Sequence, residues 1–172
     1  PTIVAVNGTA MGGGCELSLA STAIVMSNDS SARIGLREVN LGVIPGMGGC
    51  VRMSRKLGIA GALDLILAGK TLTADRAVKA GLIEAAIAKE NFDITARAWI
   101  QKNLSRLKSG ERIAKEPKLG GMGGVAGSLL EKTPFGRAFI LKKAKDTVLL
   151  KTRGQYPAPL EVLSVLSDIG AA

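Results

Sequence analysis

Three consecutive glycines followed by a glutamate constrain the fold of this chain more than any other feature. Gly12, Gly13 and Gly14 lead through Cys15 into Glu16 and an apolar helical pattern. Glycine has no Cβ, so this backbone can turn sharply and a ligand can approach it closely. At a helix start the first N–H groups have no partner inside the helix, and the positive end of the helix dipole lies behind them. The sequence therefore predicts a turn that holds negative charge, either a phosphate or an oxyanion.

The carboxylate of Glu16 helps to choose between these two interpretations. A phosphate cradle does not normally contain an acid, whereas an oxyanion hole commonly works together with an acid or a base. The pattern favours an oxyanion hole with an acid/base group one turn away.

Composition removes several classes of chemistry. The chain has 172 residues, enough for one domain or a piece of a larger one, and contains no histidine. Without histidine, Ser-His-Asp and Cys-His catalysis and most zinc sites are excluded. Cys15 and Cys50 are too few for a disulfide framework and lack metal-ligand spacing. We therefore expect a reducing, intracellular compartment and no metal site.

The chain starts at Pro1 and enters a strand-like run at once, without the pattern of a signal peptide. No window is long and apolar enough to predict a membrane span. We expect from this start a chain that begins in the middle of a fold.

The net charge of +9 is concentrated in the second half of the chain. The first fifty residues hold only Arg33 and Arg37, whereas residues 97–118 and 132–153 hold seven Lys or Arg each. One interpretation is that these charges lie on solvated helix faces. The alternative is that they attract a polyanionic ligand, an acidic partner subunit or a membrane surface. Nucleic acid is disfavoured, because the basic windows lack interleaved aromatic residues and match no recognition motif.

Short apolar runs alternate with helical stretches along the chain, and a strand enters the first helix through the glycine turn, an arrangement found at ligand sites in α/β proteins. The predicted strands are 2–6, 23–26, 32–35 and 82–87. The predicted helices are 15–22, 51–57, 60–68, 73–80, 94–107, 137–150 and 160–169.

Three further stretches bear on function. Glu38 follows the third predicted strand, so the chain can return it to the end of the structure that carries Glu16; the alternative is a surface glutamate. Residues 42–49 form a second glycine-dense loop, which indicates either backbone wrapped around a ligand or close packing of a helix on a strand. Residues 121–126 fit the dinucleotide pattern G-x-G-x-x-G/A, but no strand precedes them, so we interpret them as part of a flexible loop.

Five blocks of sequence resemble the enoyl-CoA hydratase/isomerase (crotonase) superfamily over residues 1–90, in the family's order and nearly its spacing. The blocks are 1–8, 11–17, 35–39, 41–49 and 77–82. Residues 151–159, followed by an apolar helix, resemble the linker after the hydratase domain of multifunctional fatty-acid oxidation enzymes.

The resemblance implies an α/β fold, the C-terminal half of a crotonase-like spiral of ββα turns followed by a helical C-terminal region. Residues 1–90 would be the partial core, whose N-terminal half is missing. Residues 91–153 would be a basic helical region with a flexible glycine-rich loop at 118–127. Residues 154–172 would be a linker and terminal helix leading to a dehydrogenase domain absent from this chain.

The resemblance also implies a reaction, the addition of water to trans-2-enoyl-CoA to give 3-hydroxyacyl-CoA. Gly13 aligns with an N–H donor to the thioester oxygen, Glu16 with the group that activates water, and Glu38 with the group that protonates C2. The family's other oxyanion donor belongs to the missing half. Substrate contacts are expected at Gly12, Gly14, Pro45 and Gly46.

The same resemblance implies no cofactor, because acyl-CoA is the substrate and NAD would belong to the dehydrogenase domain. The implied partners are further copies of the chain or a thiolase-type β subunit, with no nucleic acid, and the basic half could touch a membrane surface. The implied location is the bacterial cytoplasm or, alternatively, the mitochondrial matrix. Two other functions stay open: a double-bond isomerase, and a truncated non-catalytic scaffold that binds partner subunits.

Overall fold

The structure is a computed structural model that describes residues 1–115, 131 and 133–169. Its strands are β1 (Ile3–Val6), β2 (Ala10–Met11), β3 (Ala23–Ser27), β4 (Ile34–Gly35), β5 (Thr71–Leu72) and β6 (Ala85–Ile87). Its α-helices are α1 (Gly13–Leu19), α2 (Gly49–Ile66), α3 (Ala74–Ala80), α4 (Phe92–Lys108), α5 (Pro134–Thr152) and α6 (Ala158–Ile169), and Glu38–Leu41 forms a 3-10 helix.

The strands form two small sheets. The first has the order β1-β3-β6 and is parallel, with Ile3 opposite Ala23 and Val25 opposite Ala85. Its central strand β3 is buried at every residue, which explains why its first four residues, 23–26, are a continuous apolar run rather than an alternating one. The second sheet has the order β2-β4-β5, in which β2 and β4 are parallel while β4 and β5 are antiparallel.

The second sheet fixes the glycine turn. Ala10 lies opposite Ile34 in the β2–β4 pair, and the Gly12 N–H extends this pairing by donating to the Gly35 carbonyl oxygen at 3.0 Å. Gly12 has φ +55° and ψ −125°, backbone angles that glycine adopts without the Cβ penalty. The Glu16 N–H then donates to the Gly12 carbonyl oxygen at 2.9 Å and begins α1. The carboxyl ends of β2 and β4 therefore lead directly into the two segments that carry Glu16 and Glu38.

The main core is built largely from aliphatic side chains and lies between the sheets and helices α1, α2 and α6. Helix α6 contributes the buried side chains of Val162, Leu163 and Leu166, and α5 adds Ile140 and Val148. A smaller cluster joins β3 and β6 to Phe92 and Ala96 of α4. Within the residues described, no helix is both long enough and apolar enough to cross a membrane.

The predicted boundaries differ from the observed ones in informative places. Helix α1 starts at Gly13 and ends at Leu19, so it is shorter and begins earlier than the predicted 15–22. The break predicted between 51–57 and 60–68 is confirmed, because Gly58 has non-helical angles (φ 76°, ψ 168°) inside α2. Helix α6 begins at Ala158, two residues before the predicted 160–169. Pro159 is compatible with this earlier start, because the first helical turn needs no N–H from it.

The predicted glycine-rich loop at 118–127 and the dinucleotide-like pattern at 121–126 lie outside the described residues. The division into three parts and the full ββα spiral stay predictions.

Replacing Gly35 by alanine tests the packing of the second sheet. A Cβ at Gly35 would lie 2.5 Å from the Lys70 carbonyl oxygen and 3.1 Å from the Thr71 Cα, so the backbone of β5 would have to move. We expect Gly35→Ala to lower the free energy of unfolding by about 1–3 kcal/mol, measured by urea denaturation. Gly8→Ala is the matched control, because a Cβ there meets nothing within 4 Å, and it should change stability little. Equal effects of the two substitutions would contradict the packing argument.

Candidate active site

Glu16 is a buried carboxylate held by backbone N–H groups. Its side chain lies in the first turn of α1 and the residue is only 3% exposed. Oε1 accepts hydrogen bonds from the Met47 N–H at 2.8 Å and from the Gly49 N–H at 2.7 Å. Oε2 accepts none from the described residues. The protein therefore fixes one oxygen of the carboxylate through hydrogen bonds and leaves the other without such a bond among the described residues.

The loop before α2 can approach Glu16 this closely because of its glycines. A Cβ at Gly49 would lie 2.8 Å from Glu16 Oε1 and 2.9 Å from the Pro45 Cβ, so any side chain there would displace the carboxylate or the proline. Gly48 has φ +89° and turns the chain into α2. Arg52 closes the loop by donating from Nη1 to the Met47 carbonyl oxygen.

Glu38 has a different environment. It begins the 3-10 helix after β4, and both carboxyl oxygens are buried without a hydrogen-bond partner among the described residues. A Cβ at Gly12 would lie 3.3 Å from Glu38 Oε1, so the Glu38 carboxyl lies against the glycine turn. Burial raises the pKa of Glu38 above its usual range, and the nearby charge of Glu16 raises it further.

The structure thus brings the two predicted glutamates to one place. The charges of these two carboxyls also act on the two cysteines. Burial raises the pKa of Cys15 to about 12, and the charge of Glu38 is the second cause of this rise. Burial raises the pKa of Cys50 to about 11, and the charge of Glu16 is the second cause. Both thiols are buried and protonated at neutral pH, so neither is a ready nucleophile.

The glycines of the turn face outward beside this pair. Gly13 is the first residue of α1 and is exposed, so its N–H points from a helix start without an intrahelical partner. Gly14 is also exposed, whereas Gly12 is half-buried under Glu38.

The two predicted substrate contacts in the second loop differ in exposure, since Pro45 is buried against Gly49 and Gly46 is exposed. The catalytic and substrate-binding roles of these five residues, the three turn glycines together with Pro45 and Gly46, stay predictions.

Exposed apolar side chains occur on the segments that carry the site. They are Met11 at the end of β2, Leu17 on α1, Leu41 on the 3-10 helix, and Val43 and Met47 on the loop before α2. Leu41 is 81% and Met47 64% exposed. Apolar surface of this kind indicates contact with an apolar ligand or with further protein. Within the described parts of the chain, no three His, Cys, Asp or Glu side chains cluster so as to hold a metal ion.

Sequence reasoning did not identify the partners of Glu16. The Met47 N–H lies in the loop before α2 and the Gly49 N–H at the first residue of α2, 31 and 33 residues from Glu16, and backbone donors leave no side-chain signature. The glycine density of residues 42–49 was the available signal. The loop packs closely against Glu16, whereas backbone wrapped around a ligand stays a prediction.

Comparison with known proteins identifies the class. Residues 1–117 match the enoyl-CoA hydratase/isomerase family, so the chain belongs to this crotonase family. Among solved structures, carnitinyl-CoA hydratase from Mycobacterium avium is 34% identical with a TM-score of 0.57, covering 86% of this chain and 54% of that one.

The most informative relatives by sequence are subunits of a complex. The fatty acid oxidation complex subunit alpha of Shewanella loihica is 39% identical over 163 residues, which are 95% of this chain and 22% of that protein. The corresponding subunit of Vibrio vulnificus is 37% identical over 166 residues, 96% of this chain and 22% of that protein. The chain therefore spans less than a quarter of the length of these relatives.

The electrostatic contact between the two carboxyls can be tested by titration. Because the charge of Glu16 helps to raise the pKa of Glu38, Glu16→Gln should lower that pKa. Burial is the larger cause, so the pKa should stay above the usual value for glutamate. Carboxyl ¹³C NMR of the labelled chain against pH measures it, with Glu161→Gln on the exposed face of α6 as control. An unchanged Glu38 titration in Glu16→Gln would show that the two groups do not interact.

The burial of Glu38 also predicts a pH-dependent stability. A carboxyl whose folded pKa is raised favours the folded state while protonated, and this advantage is lost as pH rises from the ordinary pKa of about 4.3 through the folded value. Glutamine cannot ionise, so Glu38→Gln should unfold at higher urea than the wild type at pH 8 and show a smaller difference at pH 4. A variant that is destabilised equally at both pH values would contradict the unpaired burial of this carboxyl.

Proposed function

We propose that this chain is the hydratase region of a fatty-acid β-oxidation enzyme and adds water across the 2,3 double bond of a trans-2-enoyl-CoA. The observation that carries the proposal is the pair of buried carboxyls at one glycine turn in contrasting environments. Glu16 accepts two backbone N–H bonds, whereas the pKa of Glu38 is raised by burial. Pairs of carboxyls in contrasting environments are suited to separate roles as base and acid.

The proposed reaction uses each group once. Glu16 takes a proton from water as the water oxygen bonds to C3, and the electrons of the double bond move towards the thioester. Negative charge then develops on the thioester oxygen, where the Gly13 N–H donates a hydrogen bond. Glu38 gives its proton to C2, which completes the 3-hydroxyacyl thioester. Glu16 ends protonated and Glu38 ionised, so proton exchange with solvent restores the starting state.

The energetic contributions follow from general chemistry. An oxyanion donor such as Gly13 would contribute about 3 kcal/mol to the stabilisation of the enolate-like transition state. By the family resemblance, a second donor would come from a segment outside this chain. Gly12, Gly14, Pro45 and Gly46 would contact the substrate, and the exposed apolar side chains of Leu41 and Met47 would face an apolar acyl group.

The wider context is part of the same proposal. The alpha subunits similar to this chain are named as parts of fatty acid oxidation complexes, which supports a multifunctional enzyme with further subunits. That the further subunit is of thiolase type rests on the family resemblance. In such a multifunctional enzyme, this chain would supply the C-terminal half of the crotonase spiral, and residues 154–172 would be the linker that follows it. The bacterial source of these relatives supports a cytoplasmic location.

Activity of the full-length protein tests the proposal. Loss of the absorbance of the 2,3-unsaturated thioester in crotonyl-CoA measures hydration. Glu16→Gln and Glu38→Gln should each lower kcat by about 100-fold or more, because each removes a general acid or base. Glu161→Gln, an exposed glutamate on α6, is the matched control and should keep wild-type activity. Full activity in the Glu16→Gln, Glu38→Gln double variant would refute the proposed roles.

Product analysis separates hydration from the alternative in the same family. An isomerase moves a double bond without adding oxygen, so its product has the mass of the substrate. A 3-hydroxyacyl thioester, 18 Da heavier by the one water added, supports hydration, whereas a shifted double bond with no mass change would favour isomerisation.

A further inference from the structure

The only N–H groups that favour the ionised carboxyl of Glu38 among the described residues are those of Arg37 and Glu38, which belong to its own segment. The position of the carboxyl therefore depends on the position of that segment. Both carboxyl oxygens are buried and lack partners among the described residues. Glu16, in contrast, is fixed by two backbone N–H groups. A proton donor must lie within hydrogen-bond reach of the reacting atom, and a displacement of about 1 Å can cost about 100-fold in rate. Some other contact must therefore hold the segment that carries Glu38.

That segment is short and mostly exposed. The 3-10 helix Glu38–Leu41 has only short-range backbone hydrogen bonds. The Asn40 N–H donates to the Arg37 carbonyl oxygen, and the Gly42 N–H donates to the Val39 carbonyl oxygen. Asn40, Leu41 and Gly42 are exposed, and Val39 is the only buried residue of the 3-10 helix. A single helical turn has little stability of its own, so tertiary contacts decide its position.

One such contact comes from the far end of the chain. The Tyr156 hydroxyl donates a hydrogen bond to the Val39 carbonyl oxygen, 117 residues away in sequence. The same ring lies beside Gly42, since a Cβ there would be 3.9 Å from the Tyr156 Cε2 and hydroxyl oxygen. Tyr156 belongs to the short connection between α5 and α6, and α6 is anchored in the core by Val162 and Leu166. The tyrosine thus links a rigid core helix to the segment that begins with Glu38.

We infer that Tyr156 is a positioning residue for the proposed acid: its hydroxyl pins the Val39 carbonyl and so holds Glu38 against the glycine turn. This inference rests on the proposed function, since it assigns Tyr156 a role through Glu38. It also means that the connection after α5, which we propose as the start of a linker, contributes to the proposed hydratase site.

The substitution Tyr156→Phe removes only the hydroxyl and keeps the ring against Gly42. In the full-length protein we expect kcat for crotonyl-CoA to fall about tenfold or more, with KM changed less than about twofold, because an acid is misplaced while substrate contacts remain.

The same substitution should change the pH profile. A looser segment admits water to Glu38, which lowers the pKa of Glu38 towards the ordinary value. Glu38 must be protonated to act, so the alkaline limb of the kcat profile should move to lower pH.

Thr152→Val is the matched control. The Thr152 hydroxyl, four residues from Tyr156, also donates to a backbone carbonyl, that of Val148 at 2.8 Å, and both partners of this bond lie in α5. We expect this variant to keep the wild-type kcat and pH profile. Equal losses in the two variants would show that Tyr156 acts only through the stability of the C-terminal helices.

Hydrogen exchange supplies a readout that does not depend on activity. The amides of Asn40 and Gly42 should exchange faster in Tyr156→Phe than in the wild type, and not in Thr152→Val. Unchanged exchange, or faster exchange with unchanged kcat and pH profile, would overturn the inference. A wild-type protein without hydratase activity would refute the proposed function and the catalytic part of this inference, while the exchange rates would still decide whether Tyr156 holds the segment.

Discussion

The parallel pairing of β2 with β4 is the constraint on which the candidate site depends. Each strand has only two residues, yet Ala10 and Met11 face Ile34 and Gly35 in register, and the Gly12 N–H continues the ladder. Parallel strands end at the same edge, so the chain leaves this edge twice, once into α1 and once into the 3-10 helix. Glu16 and Glu38, which are 22 residues apart in sequence, lie at that edge for this reason.

The two carboxyls then differ because the loop before α2 reaches only one of them. The Met47 N–H in this loop and the Gly49 N–H at the first residue of α2 both donate to Glu16 Oε1. The absence of a Cβ at Gly49 permits this close approach. The carboxyl of Glu38 receives no bonds from that loop, and its oxygens are buried against Gly12. An unpaired buried carboxyl is costly for stability, and costly groups of this kind concentrate where chemistry requires them. The asymmetry is therefore a stronger sign of function than the presence of two glutamates.

Much of the local structure could be predicted from the sequence, because it depends on local signals. The glycine run marked the turn into α1, Gly58 the break in α2, and Gly81 the end of α3, where it adopts φ +81°. The proximity of Glu38 to the glycine turn was predictable as a consequence of strand topology. The donors to Glu16 were not predictable, since backbone N–H groups carry no residue identity.

The bond from Tyr156 to Val39 was unpredictable for a different reason: it joins two segments that only the packed core brings together. Sequence patterns report which face of an element is apolar, and not which carbonyl a distant hydroxyl will meet.

The boundary of α6 shows how such tertiary contacts shape local structure. Tyr156 and two prolines, at 157 and 159, indicate a stiff extended connection, yet the helix starts at Ala158. Proline in a first helical turn is tolerated there, and the burial of Val162 and Leu166 stabilises a helix that begins immediately after Pro157. This early start leaves only Gly154 to Pro157 between the end cap of α5 and α6, so Tyr156 has little freedom. A short connection between two packed helices is thus able to hold a hydroxyl in place, which a longer and looser linker could not do.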